Sequence, residues 1–189
     1  MGTSASSTEQ ASDRGHFEKL TKKINVPQPP AGMAKDLESA INVARQIKFP
    51  VIVRPSFVLG GMAMNIVHNE QELESYFDEH DLSSMPNSEI LIDKYIEGIE
   101  LEIDAVCDGE NILIPGIMMH IEKAGVHSGD SVAVYPAKDL SEIEKNEITD
   151  QSKKIAKELQ IKGLMNIQFI LDRTSGSKLY VIEVNPRSS

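Results

Sequence analysis

The stretch of sequence that decides the fold is Tyr180-Val181-Ile182-Glu183-Val184-Asn185-Pro186-Arg187. Its apolar run predicts a strand, and side chains two residues apart in a strand point to the same face, roughly 6 to 7 Å apart. Glu183 and Asn185 would therefore present two oxygen ligands side by side. Such ligands suit Mg²⁺, which protein carboxylates and substrate phosphates commonly share, and Arg187 would bind an anion on the same side. The alternative is an ordinary edge strand whose polar residues lie in water.

The composition is that of an ordinary globular protein, with 189 residues, 40% of them hydrophobic and 25% charged. The 19 basic and 29 acidic side chains give a formal net charge of −10, which argues against a general nucleic-acid-binding surface. The single cysteine, Cys107, suits a reducing cytoplasm and is interpreted as a buried structural thiol. No apolar run reaches membrane-spanning length, so no membrane partner is expected.

Hydrophobic periodicity predicts an α+β protein of two lobes. The predicted helices span about 13–24, 37–47, 69–80 and 142–160, and the predicted strands span about 49–54, 63–68, 89–96, 99–107, 111–118, 164–172 and 179–185. Residues 1–12 are small and polar without periodicity, so 1–13 is predicted to be a tail. The lobes would be 14–88 and 89–189, and a cleft between two lobes commonly binds small ligands.

A possible anion site follows the first predicted strand, where Arg54 precedes the paired glycines Gly60 and Gly61. Glycines allow backbone N–H groups to turn towards a ligand, because no Cβ stands in the way. The sequence is not a Walker A loop, because no Gly-Lys-Ser/Thr follows. A simple hairpin turn is the alternative.

A second candidate is the polar loop 125–130, which reads GVHSGD. His127 in this loop would donate a hydrogen bond to a phosphate oxygen. A structural role is the alternative interpretation of a lone loop histidine.

Two further predicted strands carry polar side chains at alternate positions. Glu100, Glu102 and Asp104 share one face, which is either solvated or lines the cleft, where Glu100 would accept hydrogen bonds from ribose hydroxyls. Asn166 and Gln168 repeat the pattern of the last strand inside an otherwise apolar stretch. Two neighbouring strands with inward polar groups predict a site for a metal ion and phosphate.

Together these residues resemble the ATP-grasp superfamily, specifically the large subunit of carbamoyl-phosphate synthetase. Residues 49–63 are similar to the first signature of that family, and residues 179–188 to its second. The similarity continues through 125–131 and 163–169, so it covers about 13–189. It implies the ATP-grasp fold, with two α+β lobes around a nucleotide cleft. The lid lobe would be 14–88, the core lobe 89–189 would be truncated at its C-terminus, and 1–13 would end a preceding domain.

Residues 102–109 and 120–130 look like the C-terminal half of that subunit, which phosphorylates carbamate. The implied function is ATP- and Mg²⁺-dependent formation of carbamoyl phosphate by a cytoplasmic ligase of arginine and pyrimidine biosynthesis, with glutamine or ammonia as the nitrogen source. The implied partners are ATP, carbamate, a glutaminase small subunit and the rest of the large subunit. Which of the two pathways the parent serves stays open.

The resemblance also implies a role for each matching residue. Arg187, Asn185 and His127 would be catalytic, and the metal ligands for Mg²⁺ or Mn²⁺ would be Gln168, Glu183 and Asn185. The implied nucleotide-binding set comprises Arg54, Gly60, Gly61, Lys94, Ile96, Glu100, Gly125, Val126, His127, Ser128, Gln168 and Glu183. Within this set Arg54 and the glycine pair would contact phosphates, Lys94 and Ile96 the adenine, and Glu100 the ribose.

One departure from the pattern is Met62, where many relatives have arginine, so one cationic contact would be absent. Three alternatives stay open: the bicarbonate-phosphorylating half, another ATP-grasp ligase or carboxylase, and a module that only binds nucleotide. The loop 125–130 argues against the carboxylase. The isolated chain is expected to bind nucleotide weakly and to synthesise little or nothing alone.

Overall fold

The structure is a computed structural model that describes residues 2–55, 64–80, 89–121, 132–174 and 176–187. Its described helices are α1 (Ala5–Ser12), α2 (Arg14–Lys23), α3 (Leu37–Ile47), α4 (Glu70–Glu79) and α5 (Glu142–Glu158). Its described strands are β1 (Ala31–Ala34), β2 (Val51–Pro55), β3 (Asn65–Val67), β4 (Ile90–Lys94), β5 (Ile99–Asp108), β6 (Ile112–Leu113), β7 (Met118–His120), β8 (Ala133–Val134), β9 (Lys162–Asp172) and β10 (Lys178–Arg187). None of the helices in these ranges is long and apolar enough to cross a membrane.

The described residues form two compact units, each with its own core. Among the described residues, the large unit comprises 2–28, 97–121, 132–174 and 176–187, and the small unit comprises 29–55, 64–80 and 89–96. These bounds differ from the predicted lobes, because residues 1–28 group with the second half of the chain. Residues 1–13, predicted to be a tail, contain α1, which is capped by Ser4 and buries Ala11 in the core of the large unit. Periodicity missed α1 because its burial depends on distant residues.

The small unit is an antiparallel sheet of order β1-β4-β2-β3 with α3 and α4. Its core contains Val51, Val53, Leu73, Phe77 and Ile92, all fully buried. α3 begins with a capping box, in which polar side chains accept hydrogen bonds from backbone N–H groups that the start of a helix leaves without partners. The predicted helices and strands of this unit agree with the structure to within a few residues.

The large unit is built on a sheet of order β10-β9-β5-β7-β8, with β6 paired to β5. One face of this sheet packs against α5 and the N-terminal helices, and its core residues are predominantly aliphatic. The predicted strand 111–118 is two short strands instead, β6 and β7. Pro115 and Gly116 separate them, and the Tyr135 ring lies so close that a Cβ at Gly116 would come within 2.5 Å of it.

A buried carboxylate joins the start of α5 to the turn between β9 and β10. Glu144 accepts two hydrogen bonds from Arg173, both 2.9 Å, and one of 2.8 Å from the Ser177 hydroxyl. It also completes the α5 capping box by accepting from the backbone and hydroxyl of Ser141. The charge of Glu144 is thus paired and fully hydrogen-bonded, as a buried carboxylate requires.

Replacing Glu144 by alanine is expected to lower the free energy of unfolding by about 3 kcal/mol, because Arg173 and the helix terminus lose their shared partner. The matched control is Glu142→Ala in the same helical turn, whose side chain is 81% exposed and should cost less than about 1 kcal/mol. Urea denaturation at pH 7 measures both. Equal losses in the two variants would contradict this role for Glu144.

The same contacts predict how stability depends on pH. Hydrogen bonding from Arg173, above all, lowers the pKa of Glu144 from 4.5 to about 2. A lowered pKa means that the stabilisation is complete above the unfolded value and is lost as the pH falls through the folded one. The stability difference between wild type and Glu144→Ala should therefore be constant above pH 4.5 and shrink between pH 4.5 and 2. A difference that stays constant over this interval would refute the pairing.

Candidate functional site

The face of the large sheet opposite its core carries the polar residues of the last two strands. β9 and β10 are antiparallel, and their register places Glu183 directly opposite Gln168 and Asn185 directly opposite Asn166. Residues directly opposite on neighbouring strands have Cβ atoms about 4.5 to 5.5 Å apart. The sequence predicted polar groups on two neighbouring strands, and the structure brings these four side chains together.

The third strand of this face is β5, which pairs with the other edge of β9. Glu102 lies opposite Gln168, and Asp104 lies opposite Asn166. The alternate residues of β5, from Leu101 to Cys107, are buried in the core instead. Two polar rows therefore cross β10, β9 and β5, each contributed by one residue from every strand.

A β-bulge in β10 gives Glu183 its orientation. Val181 pairs with Phe169, but Glu183 rather than Ile182 pairs with the next residue of β9, so Ile182 is an extra residue. Val181 and Val184 are both buried, although strict alternation would place only one of them in the core. The bulge thus places Glu183 and Asn185 on the polar face and Val184 in the core, the reverse of what strict alternation from Val181 would give. Bulges next to functional sites commonly turn a side chain in this way.

Asn166 lies at the centre of the polar face and is completely buried. Its amide nitrogen donates to the Glu102 carboxylate, to Asp104 Oδ1 at 3.1 Å and to the carbonyl of Ile103 at 3.2 Å. Its carbonyl oxygen is buried and has no hydrogen-bond partner among the described residues. The sequence showed Asn166 only as part of an alternating pattern, because no local signal indicates which residues the neighbouring strand β5 will place beside it.

A buried histidine also holds Glu102. His120 Nε2 lies 3.0 Å from Glu102 Oε2, and the side chains are 4% and 15% exposed respectively. The sequence did not identify His120 as a site residue. The two residues meet through the pairing of β5 with β7, and the residues around His120 give no local signal of that contact.

The carboxylates of this face are close enough to influence one another. Burial raises the pKa of Glu100, and the negative charges of Glu102 and Glu183 raise it further, whereas His120 opposes the shift. Burial is therefore the main reason why Glu100 holds its proton more tightly, and the neighbouring carboxylates add to the effect. No set of three or more His, Cys, Asp or Glu side chains in the described part of the chain is arranged to hold a metal.

The last residues of β10 complete the face. Asn185 Nδ2 donates to Glu183 Oε1 at 2.8 Å. The guanidinium of Arg187 lies 3.9 Å from Glu102 Oε1 and 4.0 Å from Asp104 Oδ1, and its side chain is 51% exposed. Arg187 is thus held loosely between two carboxylates with half of its surface free.

The small unit carries three predicted nucleotide-binding residues. Arg54 Nε lies 3.3 Å from Asp93 Oδ2 on the neighbouring strand, and Ile96 is 9% exposed. The Lys94 ammonium donates to three consecutive carbonyls, those of residues 48–50, at 3.0, 3.0 and 3.3 Å. Burial lowers the pKa of Lys94, as does the charge of Lys48. The ammonium of Lys94 therefore secures the entry to β2.

The remaining predicted residues lie outside the described part of the chain: Gly60, Gly61, Gly125, Val126, His127 and Ser128, together with Met62.

The chain is similar to one family of known sequences and to several solved structures. Residues 13–189 match the family model described as "Carbamoyl-phosphate synthase L chain, ATP binding domain". Over its whole length the chain is similar to a biotin carboxylase from Campylobacter jejuni, with a TM-score of 0.81 and 23% identity over 43% of that chain. It is also similar to the biotin carboxylase domain of 2-oxoglutarate carboxylase from Hydrogenobacter thermophilus, with a TM-score of 0.78 and 25% identity over 42% of that chain.

A third similar structure is D-alanyl-alanine synthetase A from Vibrio cholerae, with a TM-score of 0.77 and 16% identity over 98% of this chain and 58% of that one. These likenesses confirm the predicted α+β ATP-grasp fold. The chain spans less than half the length of the two carboxylase structures.

Deleting Ile182 is expected to lower the free energy of unfolding by less than about 1 kcal/mol, because without the extra residue Val181 still pairs with Phe169 and Glu183 with Gln168, in regular alternation. The matched control is deletion of Val184, which is 2% exposed; it would turn Asn185 into the core and should cost more than about 3 kcal/mol. Thermal and urea unfolding compare the two. Equal losses in the two deletion variants would mean that Ile182 is not the extra residue that sets the face of Glu183.

Proposed function

The chain belongs to the family of carbamoyl-phosphate synthase L-chain ATP-binding domains, and from this premise we propose that it binds ATP with Mg²⁺ and phosphorylates carbamate. The observation that carries the proposal is the register of β9 with β10, which pairs Glu183 with Gln168 and Asn185 with Asn166. It supports a single site for a divalent cation and phosphate. The reaction is one partial step of a larger ATP-dependent ligase.

The proposed ligands of Mg²⁺ are Gln168, Glu183 and Asn185. Carboxylate and amide oxygens are the ligands that Mg²⁺ accepts in proteins, usually together with substrate phosphates. One observation fits a cation here: the carbonyl oxygen of Asn166, directly opposite Asn185, is buried and has no partner among the described residues. When bound, Mg²⁺ neutralises phosphate charge and aligns the phosphates. Mn²⁺ would suit the same ligands.

The proposed nucleotide contacts are a cation with backbone N–H groups, a carboxylate and an apolar surface. Arg54, held by Asp93, would bind phosphate oxygens together with Gly60 and Gly61, and Glu100 would accept hydrogen bonds from the ribose. Ile96 offers the adenine an apolar surface. Lys94 would contribute through its backbone and stem, because its ammonium already donates to three carbonyls.

The loop residues Gly125, Val126, His127 and Ser128 complete the proposed nucleotide set, and His127 would donate to a phosphate oxygen.

The proposed reaction needs little general-base catalysis, because a carbamate oxygen is already anionic. That oxygen forms a bond to the γ-phosphorus of ATP as the bond from phosphorus to the bridging oxygen breaks, and ADP leaves with the electron pair. Catalysis then consists of positioning and charge stabilisation. Arg187 would bind the acceptor or its acyl phosphate, and Asn185 would hold its neighbouring oxygens in place.

The chain spans under half the length of the similar carboxylase structures. The other parts of the parent enzyme are therefore also part of this proposal. The parent would be a cytoplasmic carbamoyl-phosphate synthetase with a second phosphorylating half and a glutaminase small subunit. Its product would serve arginine or pyrimidine biosynthesis. The isolated chain would bind nucleotide with little synthesis.

The second candidate is the ATP-grasp domain of a biotin-dependent carboxylase, which would phosphorylate bicarbonate. It is favoured by the fold of the Campylobacter jejuni and Hydrogenobacter thermophilus structures, both described as biotin carboxylases. Against it stands the sequence of the loop 125–130, which resembles the carbamate-phosphorylating half.

A calorimetric titration of this chain with ADP should show tighter binding in the presence of Mg²⁺. Glu183→Gln removes a charged ligand and is expected to weaken MgADP binding by about 10-fold or more, with little effect on metal-free ADP. Glu142→Gln, on an exposed turn of α5, is the matched control and should leave both affinities unchanged. Affinity independent of Mg²⁺ would refute the proposed metal site.

Acceptor specificity separates the two candidate functions. The full-length protein is expected to make ATP from ADP and carbamoyl phosphate, a reaction that needs no biotin. Arg187→Ala should lower its rate by about 100-fold, because a charged group at the acyl phosphate is lost. ATP cleavage that instead requires both bicarbonate and biotin, with no ATP formed from carbamoyl phosphate, would favour the carboxylase.

A further inference from the structure

We propose that Asn166 is a positioning residue that fixes the Arg187 guanidinium through the carboxylates of Glu102 and Asp104. The proposal rests on the proposed function for the role of Arg187, but its geometry is independent of any ligand. Asn166 itself touches neither Arg187 nor, in this proposal, the substrate. Its effect on the reaction passes through the two carboxylates.

The first step is the contact between Asn166 and the carboxylates. A single amide nitrogen donates to Glu102 and to Asp104 at 3.1 Å, while the Ile103 carbonyl between them accepts at 3.2 Å. Asn166 has no exposed surface, so its rotamer is set by packing. A buried donor that serves acceptors two residues apart on one strand holds both side chains in one arrangement.

The second step connects the carboxylates to the guanidinium. Arg187 Nη2 lies 3.9 Å from Glu102 Oε1, and Nη1 lies 4.0 Å from Asp104 Oδ1. Each nitrogen therefore faces its own carboxylate. Isolated ion pairs of exposed side chains contribute little, because ordering two long side chains costs entropy. Here Asn166 has already ordered the two acids, so only Arg187 remains to be ordered.

The third step concerns repulsion between the acids. Glu102 and Asp104 point to the same face of β5 with two negative charges, and β-strand geometry keeps them adjacent. The N–H groups of Asn166 and the positive charge of Arg187 both reduce this repulsion. Without Asn166 the Asp104 carboxylate, whose side chain is 54% exposed, would turn towards solvent, and Glu102 would keep only its contact with His120. The guanidinium would then lose its fixed direction.

The chain offers a matched control for a buried amide without this role. Gln151 of α5 is 5% exposed, donates to Glu147 at 3.2 Å and has a buried carbonyl oxygen without a partner among the described residues. Gln151→Met therefore removes the same kind of group from the same unit, on a helix that packs against the apolar face of the sheet. A merely structural effect would be shared by Gln151→Met and Asn166→Leu.

The ligand-free test is the ¹⁵N heteronuclear NOE of the Arg187 Nε–H group, assigned by its absence from Arg187→Lys. In the wild type this NOE should approach that of Arg173, which is bound bidentately by Glu144. In Asn166→Leu it should fall to the value of a free side chain, while Arg173 stays unchanged. Gln151→Met should leave both values unchanged. An equally restrained Arg187 in Asn166→Leu would overturn the proposal.

The functional test is a double-mutant cycle in the full-length protein, measured as ATP formation from ADP and carbamoyl phosphate. Asn166→Leu is expected to lower kcat about 10-fold with KM for ADP within about 2-fold, and to have no effect when Arg187 is already lysine. Additive losses would show that Asn166 acts independently of Arg187 and would overturn the proposal. Should Asn166→Leu unfold the unit, Asn166→Asp, which keeps the shape and replaces the donor, is measured in both tests.

The two proposals fail differently. If the protein binds no ADP and makes no ATP, the proposed function is wrong, and the NOE of Arg187 still decides whether Asn166 positions it. If ATP is formed but the NOE of Arg187 is the same in the wild type and in Asn166→Leu, only the positioning role is wrong.

Discussion

The structure of the large unit depends on the pairing of β9 with β10 and on the extra residue, Ile182, that interrupts it. β10 carries valines that pack in the core, and it also carries a carboxylate, an amide and an arginine that lie on the opposite, polar face. Strict alternation cannot satisfy both, because Val181 and Glu183 are two residues apart. The bulge changes the face between them. Burial of Val181 and Val184 and exposure of Glu183 follow from this one irregularity.

The polar face that results is organised by partial neutralisation of negative charge. Two strands, β5 and β10, contribute acids to it, and three of these acids have a specific neighbour: His120 and Asn166 for Glu102, Arg187 for Asp104, and Asn185 for Glu183. Burial raises the pKa of Glu100, and the charges of Glu102 and Glu183 add to the shift. The cation proposed at this face would offset negative charge that its own side chains share. Fold stability and the proposed chemistry thus draw on the same side chains.

The sequence was informative where the signal is local. Alternation in 99–107 placed Glu100 and Glu102 on one face, and hydrophobic periodicity predicted a helix over about 142–160; the structure confirms the shared face and the helix α5. Prediction failed where distant residues decide. α1 is stabilised by burial of Ala11 and by hydrogen bonds between Thr3 and Lys162, and the break between β6 and β7 follows Tyr135 packing on Gly116.

By itself the sequence determined the α+β class, the order of most elements and the set of polar residues proposed for the site, because periodicity and signature motifs are properties of neighbouring residues. Only the tertiary structure decided which of these residues meet. The bulge at Ile182, the contact of His120 with Glu102 and the central place of Asn166 depend on strand register. The ammonium of Lys94 likewise finds its three carbonyls about 45 residues away in sequence. Register is set by packing of the whole sheet, which no local pattern contains.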